Sequence, residues 1–493
     1  GTANQTTGIT GTWTGVTTAT GSATTTTNTI KGANKTYTLS ALDAGSDGTV
    51  SWTSFGKLND TGTGTVSAAN GTYTLNGANT GTSTLLSSTF TGIGNITDTG
   101  TGTLNMHGTG NGTLSGNANM GGTGTISYAG YSSAVTYSLS GSGSTGITGT
   151  VSGVTNVTGS SNSDTMSGTG QTFTITGAGA GNNGTVFWTS FENLSGGGAS
   201  TLQATSATWT LTGANAGSAT GITGFTGMAN LADLGTGIFN LNAGTLSGNL
   251  NGGGTGTLNY TSRTGPVTFN LAGTGTGVTG SISGITTVNG SAASDTITGA
   301  SANWTLNGPN AGNANGISWT SFENVVNTTA GATFTLTGGS LTSITSPGAT
   351  TFTSNTNVTV KALIGGTLNI TGSASQWILN NSSSVNGSTS LASGITPNGT
   401  TASPDVYFNG PSINGPTGGA IGGVIASVGG TIAQIAARAL DEAFDTDSVA
   451  KQINDGFVGD VGTTPPMDHR IDDTGISVPE CFNESREGQG DCK

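Results

Sequence analysis

The hydrophobic pattern comes in short bursts. "YTLSAL" at 37–42, "YTLNGAN" at 73–79, "FTITGAG" at 173–179 and "WTLTGAN" at 209–215 each set an aromatic residue two positions from a Leu or Ile, with Thr between them. Apolar residues at a period of two predict a half-buried strand, and the Gly and Asn that follow predict a tight turn. "WTLNGPN" at 304–310 and "FTLTGGS" at 334–340 continue the series. Good helix formers are scarce before residue 417, so the pattern predicts many short strands joined by turns.

The bursts recur at two periods. The starts at 37 and 73, and again at 173 and 209, define a short period of about 36 residues. "WTSF" at 52, 188 and 319 defines a long period of about 131–138 residues. "GITGTWTGVTTATGS" at 8–22 returns as "GITGTVSGVTNVTGS" at 146–160 and as "GVTGSISGITTVNGS" at 277–291, so long repeats start near 8, 146 and 277. The fold class this predicts is all-β. Residues 1–395 read as a parallel β-helix, or β-solenoid, with about two coils of roughly 18–20 residues in each short period. About twenty such coils, stacked at about 4.8 Å, predict a rod on the order of 95 Å long. One coil cannot bury its apolar side alone, but stacked coils can. Trp52, Phe55, Trp188, Phe191, Trp319 and Phe322 are therefore expected in the interior of corresponding coils. The rival reading of the three Trp is an exposed sugar-stacking row. Ladders of Asn and Thr are expected along one face.

The pattern changes after residue 395. Residues 396–416 concentrate Pro, Gly and Asn and read as a linker. Residues 417–457 are a Gly-rich segment in which Ile432, Ile435, Ala436, Ala439, Leu440 and Phe444 have helical spacing. Residues 418–437 carry no charge, so a membrane span competes there with a soluble or pore-associated helix. Residues 458–493 form an acidic tail holding Cys481 and Cys492, the chain's two cysteines. Their spacing is not that of a zinc or redox CxxC site. In an oxidising compartment they close a 12-residue ring with about 3 kcal/mol of local constraint. In the cytosol they are two free thiols.

Composition narrows the function classes. Of 493 residues 89 are Gly, 7% are charged and the net charge is −13. Residues 441–493 hold thirteen acidic and four basic residues, which leaves ten and six for 1–440. No basic patch exists to recruit nucleic acid. The start at Gly1, without Met or a signal peptide, reads as a processed product or a fragment.

Catalytic groups are sparse. His107 sits in a Gly-rich turn without an acidic neighbour and His469 lies in the acidic tail, so a Ser-His-Asp triad is hard to assemble. Asp164 and Asp295 are equivalent under the long repeat, as are Glu192 and Glu323, and equivalents lie far apart along a rod rather than facing each other. Asp43, Asp47 and Asp60 read as solvated turn residues. "SDTM" at 163–166 and "SDTI" at 294–297 make Asp164 and Asp295 calcium candidates, although no GGxGxDxUx nonapeptide array accompanies them. No other cofactor is expected.

The Gly/Thr/Asn-rich coils, the helical patch and the terminal Cys481–Cys492 pair preceded by "GISVPECF" resemble the filamentous-haemagglutinin-like exoproteins of bacterial two-partner secretion, in particular their tethered high-molecular-weight adhesins. The likeness in the repeats covers most of 1–395 and is one of style, whereas the terminal likeness is more specific. The family's N-terminal secretion domain has no counterpart in this sequence. The resemblance implies an extracellular, surface-associated adhesin rod, held in an outer-membrane transporter by its C-terminal disulfide ring. It would contact a host or neighbouring-cell surface, glycans included. A subunit of an extracellular or biofilm filament, associating end to end or laterally, is the alternative expectation. A β-helical polysaccharide-acting enzyme is the third, disfavoured by the scarcity of acids.

Overall fold

The computed structural model describes residues 14–347 and the backbone strands 350–354, 358–364, 368–371, 376–380, 405–409, 469–471 and 477–479. Two compact units divide the chain, Gly1–Gly410 and Pro411–Lys493. In the second, His469–Ile471 pairs antiparallel with Ser477–Pro479. The helix expected within 417–457, the span considered at 418–437, and Cys481 and Cys492 all lie outside the described residues. Part of the expected linker is a strand instead: Asp405–Asn409 pairs in parallel with Gln376–Asn380.

The first unit is a β-solenoid of about 11 turns, without an α-helix among the described residues. Its rungs fall into two long ladders. Ladder A stacks Tyr37, Val66, Ile96, Ala118 and Val151 as successive parallel partners. Further along it come Tyr137, Met166, Leu194 and Phe225, then Trp209, Phe239, Leu258, Val288 and Trp319. Ladder B stacks Tyr73, Leu104, Ile126, Val157 and Trp188, followed by Phe173, Leu202, Leu231, Leu250 and Ile282. Neighbours alternate along each strand between core and solvent, as the period-two pattern requires, and the inward residues of both ladders feed one core.

The coils are longer than the sequence pattern suggests. Thr18 pairs with Ser51, Thr29 with Lys57, Asn156 with Phe187 and Thr287 with Ser318, so one turn takes about 30 residues through most of the rod. It shortens to about 20 residues only at Ile96–Ala118, Leu104–Ile126, Leu231–Leu250 and Phe239–Leu258, and again after Asn324. The extra residues form a three-strand meander. Thr36–Ala41 turns back into Ala44–Ser46, which turns again into Ser51–Thr53, all antiparallel in sequence order. The same meander recurs at 72–90 and 172–189, and again at 208–225 and 303–320. Because its three strands occupy three rungs of one ladder, the rise per turn exceeds one strand spacing. A rod length on the order of 100 Å is therefore reached with about half the expected coils.

Counting the shorter returns at 136–151 and 268–282, successive meanders alternate between ladders, so Trp52 and Trp319 lie in ladder A and Trp188 in ladder B. The ladders meet at glycine corners. There a single strand such as Lys57–Ala68 carries Leu58 in ladder B and Val66 in ladder A, with a register slip between Asn59 and Gly64. Gly153 shows why the corner is glycine. Its φ is +67°, and a Cβ there would lie 2.5 Å from the amide N of Gly122 and 2.7 Å from that of Gly121.

Candidate functional site

Each residue of the "WTSF" phrase has a local task. The middle strand of the meander carries a glycine, Gly45, Gly181 or Gly312, opposite Trp52, Trp188 or Trp319. A glycine rung leaves a gap that the indole fills: a Cβ on Gly45 would be 2.6 Å from Trp52 Cζ2, and one on Gly181 would be 2.5 Å from Trp188 Cζ2. Across that gap each Trp meets the aromatic residue that opened the meander, edge to face. The centroid distance is 6.2 Å for Tyr37–Trp52, 6.0 Å for Phe173–Trp188 and 5.6 Å for Trp304–Trp319. The three indole Nε1 donors are buried without an N or O hydrogen-bond partner. The Ser that follows Thr is in the left-handed region, with φ of 61° at Ser54, 59° at Ser190 and 58° at Ser321, which bends the chain. The bend turns Phe191 and Phe322 into the core and leaves Phe55 partly buried against it. A sugar-stacking row of these Trp is thereby replaced by a buried scaffold, since none of the three exceeds 2% exposure.

The acids form the second recurrent construction, a clasp. Seven strands share it, each with an aromatic residue at its second position: Tyr37, Tyr73, Tyr137, Phe173, Trp209, Phe269 and Trp304. In each case a backbone N–H just before the aromatic donates to one buried acceptor on the next turn. The acceptors are Asp60, Asp98, Asp164, Ser200, Asp233, Asp295 and Asn327 in the same order. Where the aromatic has a donor at its tip, that donor reaches the same acceptor in four of the clasps. Tyr37 Oη donates to Asp60 at 2.9 Å and Tyr73 Oη to Asp98 at 3.2 Å, and Trp209 Nε1 to Asp233 and Trp304 Nε1 to Asn327, both at 3.2 Å. Beside Phe173, which has no tip, the acceptor is the neutral Ser200. Beside Phe269 the missing donor comes from Ser291, whose N–H and hydroxyl both donate to Asp295; Ser160 does the same for Asp164. A buried carboxylate is tolerable only when donors replace its lost water, and here they do. At Asp60 burial works to raise the pKa but is outweighed by the N–H groups of Lys35, Gly62 and Asn34 and by the Tyr37 hydroxyl, so the carboxyl is held below its usual range. Tyr37 is pushed above the usual phenol range, by burial first and then by its bond to Asp60.

This geometry corrects two expectations about the acids. Asp43 and Asp60 are buried rather than solvated. Asp43 Oδ1 accepts the Ser87 N–H at 2.7 Å. Asp47, less buried, accepts from Thr49 and Val50 and lies 3.7 Å from Lys35 Nζ. The calcium candidates Asp164 and Asp295 are fully buried, and their carboxylates face N–H and O–H donors, whereas a calcium ion needs a shell of oxygen acceptors. Glu192 and Glu323 use Oε2 to accept the N–H of Asp164 and Asp295, so these acids are joined pairwise by backbone and not across a cleft. Among the described residues no group of three or more His, Cys, Asp or Glu side chains is placed to hold a metal ion. The His107 backbone bridges Asn111, and its ring lies against Gly130.

The outer face carries the expected polar ladders. Asn105 donates to Thr74, Gln203 to Thr174, Asn259 to Asn240 and Thr320 to Asn289, each bond linking neighbouring rungs. At the corners Asn95 accepts the N–H of Asn117, and Asn117 that of Thr150. Comparison with family models, curated proteins and solved structures returns no match.

Proposed function

We propose that the chain is the rod of a bacterial exoprotein that acts by attachment. Its C-terminal region would be held at the outer membrane through a transporter and a Cys481–Cys492 ring, as the resemblance to two-partner-secreted adhesins suggests. The observation that carries this reading is the fate of the acids. Asp60, Asp98, Asp164, Asp233 and Asp295 are all spent inside clasps, which leaves a long polar side surface and no cluster of reactive groups on it among the described residues. Such a rod binds by area and repetition rather than by a pocket. Low exposed charge also favours the second reading, a filament subunit that bundles with its copies, because little repulsion separates neighbouring rods.

The test is attachment by cells that secrete the chain, compared with cells lacking it, on abiotic and cell-coated surfaces. The reading expects attachment to fall when the chain is absent, and Cys481→Ser with Cys492→Ser to release rods into the medium. Unchanged attachment contradicts it. Filaments of many copies in electron micrographs of the purified chain, with unchanged attachment, favour the second reading.

A further inference from the structure

The long repeat supplies its own control for the outer face. Where a position is scaffold, its copies agree; where one copy departs from the others on the solvent side, the fold did not ask for the change. Residue 187 is such a place. The residue before the buried Trp is Ser51 in the first copy and Ser318 in the third, but Phe187 in the second. The phenyl ring is 54% exposed, although the strand offers only a solvent-facing position there. An aromatic ring left in water forfeits the burial that normally holds such residues inside, and nothing in the core needs it.

Its neighbours complete a platform. Asn156 and Asn182 are the register partners of Phe187 on its two sides, so the three side chains share one face at adjacent rungs. Asn156 donates through Nδ2 to Thr155 Oγ1, which leaves its Oδ1 as an acceptor. Asn182 accepts the Gly184 N–H through Oδ1, which leaves its Nδ2 as a donor. Thr125 continues the row beyond Asn156, and Thr174 beyond Asn182. The surroundings carry almost no exposed charge. Between Asp60 and Arg263 the three Asp are buried and Glu192 is half-buried, with Oε2 on the Asp164 N–H.

We propose that Phe187, with Asn156 and Asn182, is a stacking site for a neutral sugar chain. A pyranose ring presents an apolar face of C–H groups that packs on a phenyl ring, and equatorial hydroxyls that pair with amide groups at its edges. The rung spacing, about 4.8 Å, is comparable with the length of one sugar unit, so a linear chain lying along the row can meet the Asn and Thr beyond the ring. An anionic polysaccharide gains nothing from an uncharged face. The site rests on the attachment reading and deepens it by naming a ligand class, and its test is separate from that of attachment.

The purified full chain is run through native gels containing mixed-linkage glucan, mannan or, as the anionic control, alginate. The site predicts retardation in a neutral gel. It also predicts at least a ten-fold weaker association for Phe187→Ser, which restores the residue of the other two copies and should leave the rod intact by circular dichroism. Asn182→Ala should weaken it less. Equal retardation of the wild type and Phe187→Ser overturns the proposal, as does no retardation in either neutral gel or Phe187-dependent retardation in alginate alone. If the sugar site fails while secreting cells still attach, only the sugar site falls; if retardation depends on Phe187 and cells attach equally without the chain, the site stands and the attachment reading falls.

Discussion

Gly181→Ala and Gly177→Ala place the same methyl group at two points of one meander, with opposite expectations. At Gly181 the added Cβ would lie 2.5 Å from Trp188 Cζ2 and 2.8 Å from its Cε2, and closer still to the backbone O of Thr174. One neighbour is a buried indole and the other a carbonyl fixed in an antiparallel ladder, so neither yields cheaply. Overpacking of this kind costs about 1–3 kcal/mol, and two rigid neighbours put Gly181→Ala near the upper end. At Gly177 the nearest atom is Ala180 Cβ at 3.8 Å, an ordinary contact, and the residue is not in the left-handed region. Alanine there is expected to be neutral, or stabilising by about 0.4–1 kcal/mol through the unfolded state. The difference between the two variants is then about 3 kcal/mol, more than a hundred-fold in an opening equilibrium. A rod of stacked units opens locally, so the assay is hydrogen exchange in peptides covering 172–190. Faster exchange in Gly181→Ala alone is the expected result. Trp188→Leu in the same chain should recover part of the loss, because the smaller side chain clears the methyl. Equal protection in the two single variants refutes the claim that Trp fills a rung emptied by glycine.

Three further outcomes follow from the clasps and the bend. Asp233→Ala leaves the N–H groups of Ser206, Ala207 and Gly235 and the Trp209 indole without their acceptor, and should cost about 3 kcal/mol or more; Asp233→Asn keeps one acceptor oxygen but turns its NH2 toward two of those donors, so it should recover only part of the loss. Urea denaturation followed by Trp fluorescence separates the two. Asp60 has a folded pKa below its unfolded value, so its contribution is complete above about pH 4 and is lost as pH falls through the lower, folded value. Exchange in peptides around residues 34–37 should therefore rise in acid, and Asp60→Asn should remove much of that dependence. Ser190 has φ of 59°, so Ser190→Val should destabilise the rod by about 1–2 kcal/mol while Ser190→Gly is tolerated, as thermal unfolding will report.

Much of the fold was legible because the strands that start each meander obey a strict period of two. Tyr37–Thr38–Leu39 and Trp209–Thr210–Leu211 announce an inward pair with a polar residue between. The middle strands do not. Ala44–Ser46 and Ala180–Asn182 centre on glycines that read as turns, so a meander looked like two short coils. The near-equal spacing of "WTSF" also hid the alternation between ladders, since sequence distance records repeat length and not which side of the rod is reached. The role of the acids left a trace in the sequence: an Asp or its substitute follows each of the seven clasped aromatics after about one turn, as Asp60 follows Tyr37 and Asp295 follows Phe269. An acid in a Gly-rich loop otherwise resembles any solvated turn residue, and only the next rung reveals the donors it serves. Phe187 carried a legible signal in its departure from Ser51 and Ser318, masked by the repeated Trp188 beside it.

The long turn built on alternating meanders can be tested by short thiol cross-linking of paired cysteines, with Cys481 and Cys492 replaced by Ser. The pairing of Thr158 with Thr189 predicts that cysteines at these two positions, one long turn apart, are joined rapidly and in high yield. Coils of about 18–20 residues would instead bring residue 158 beside Gly177, and preferential cross-linking of 158 to 177 would contradict the account.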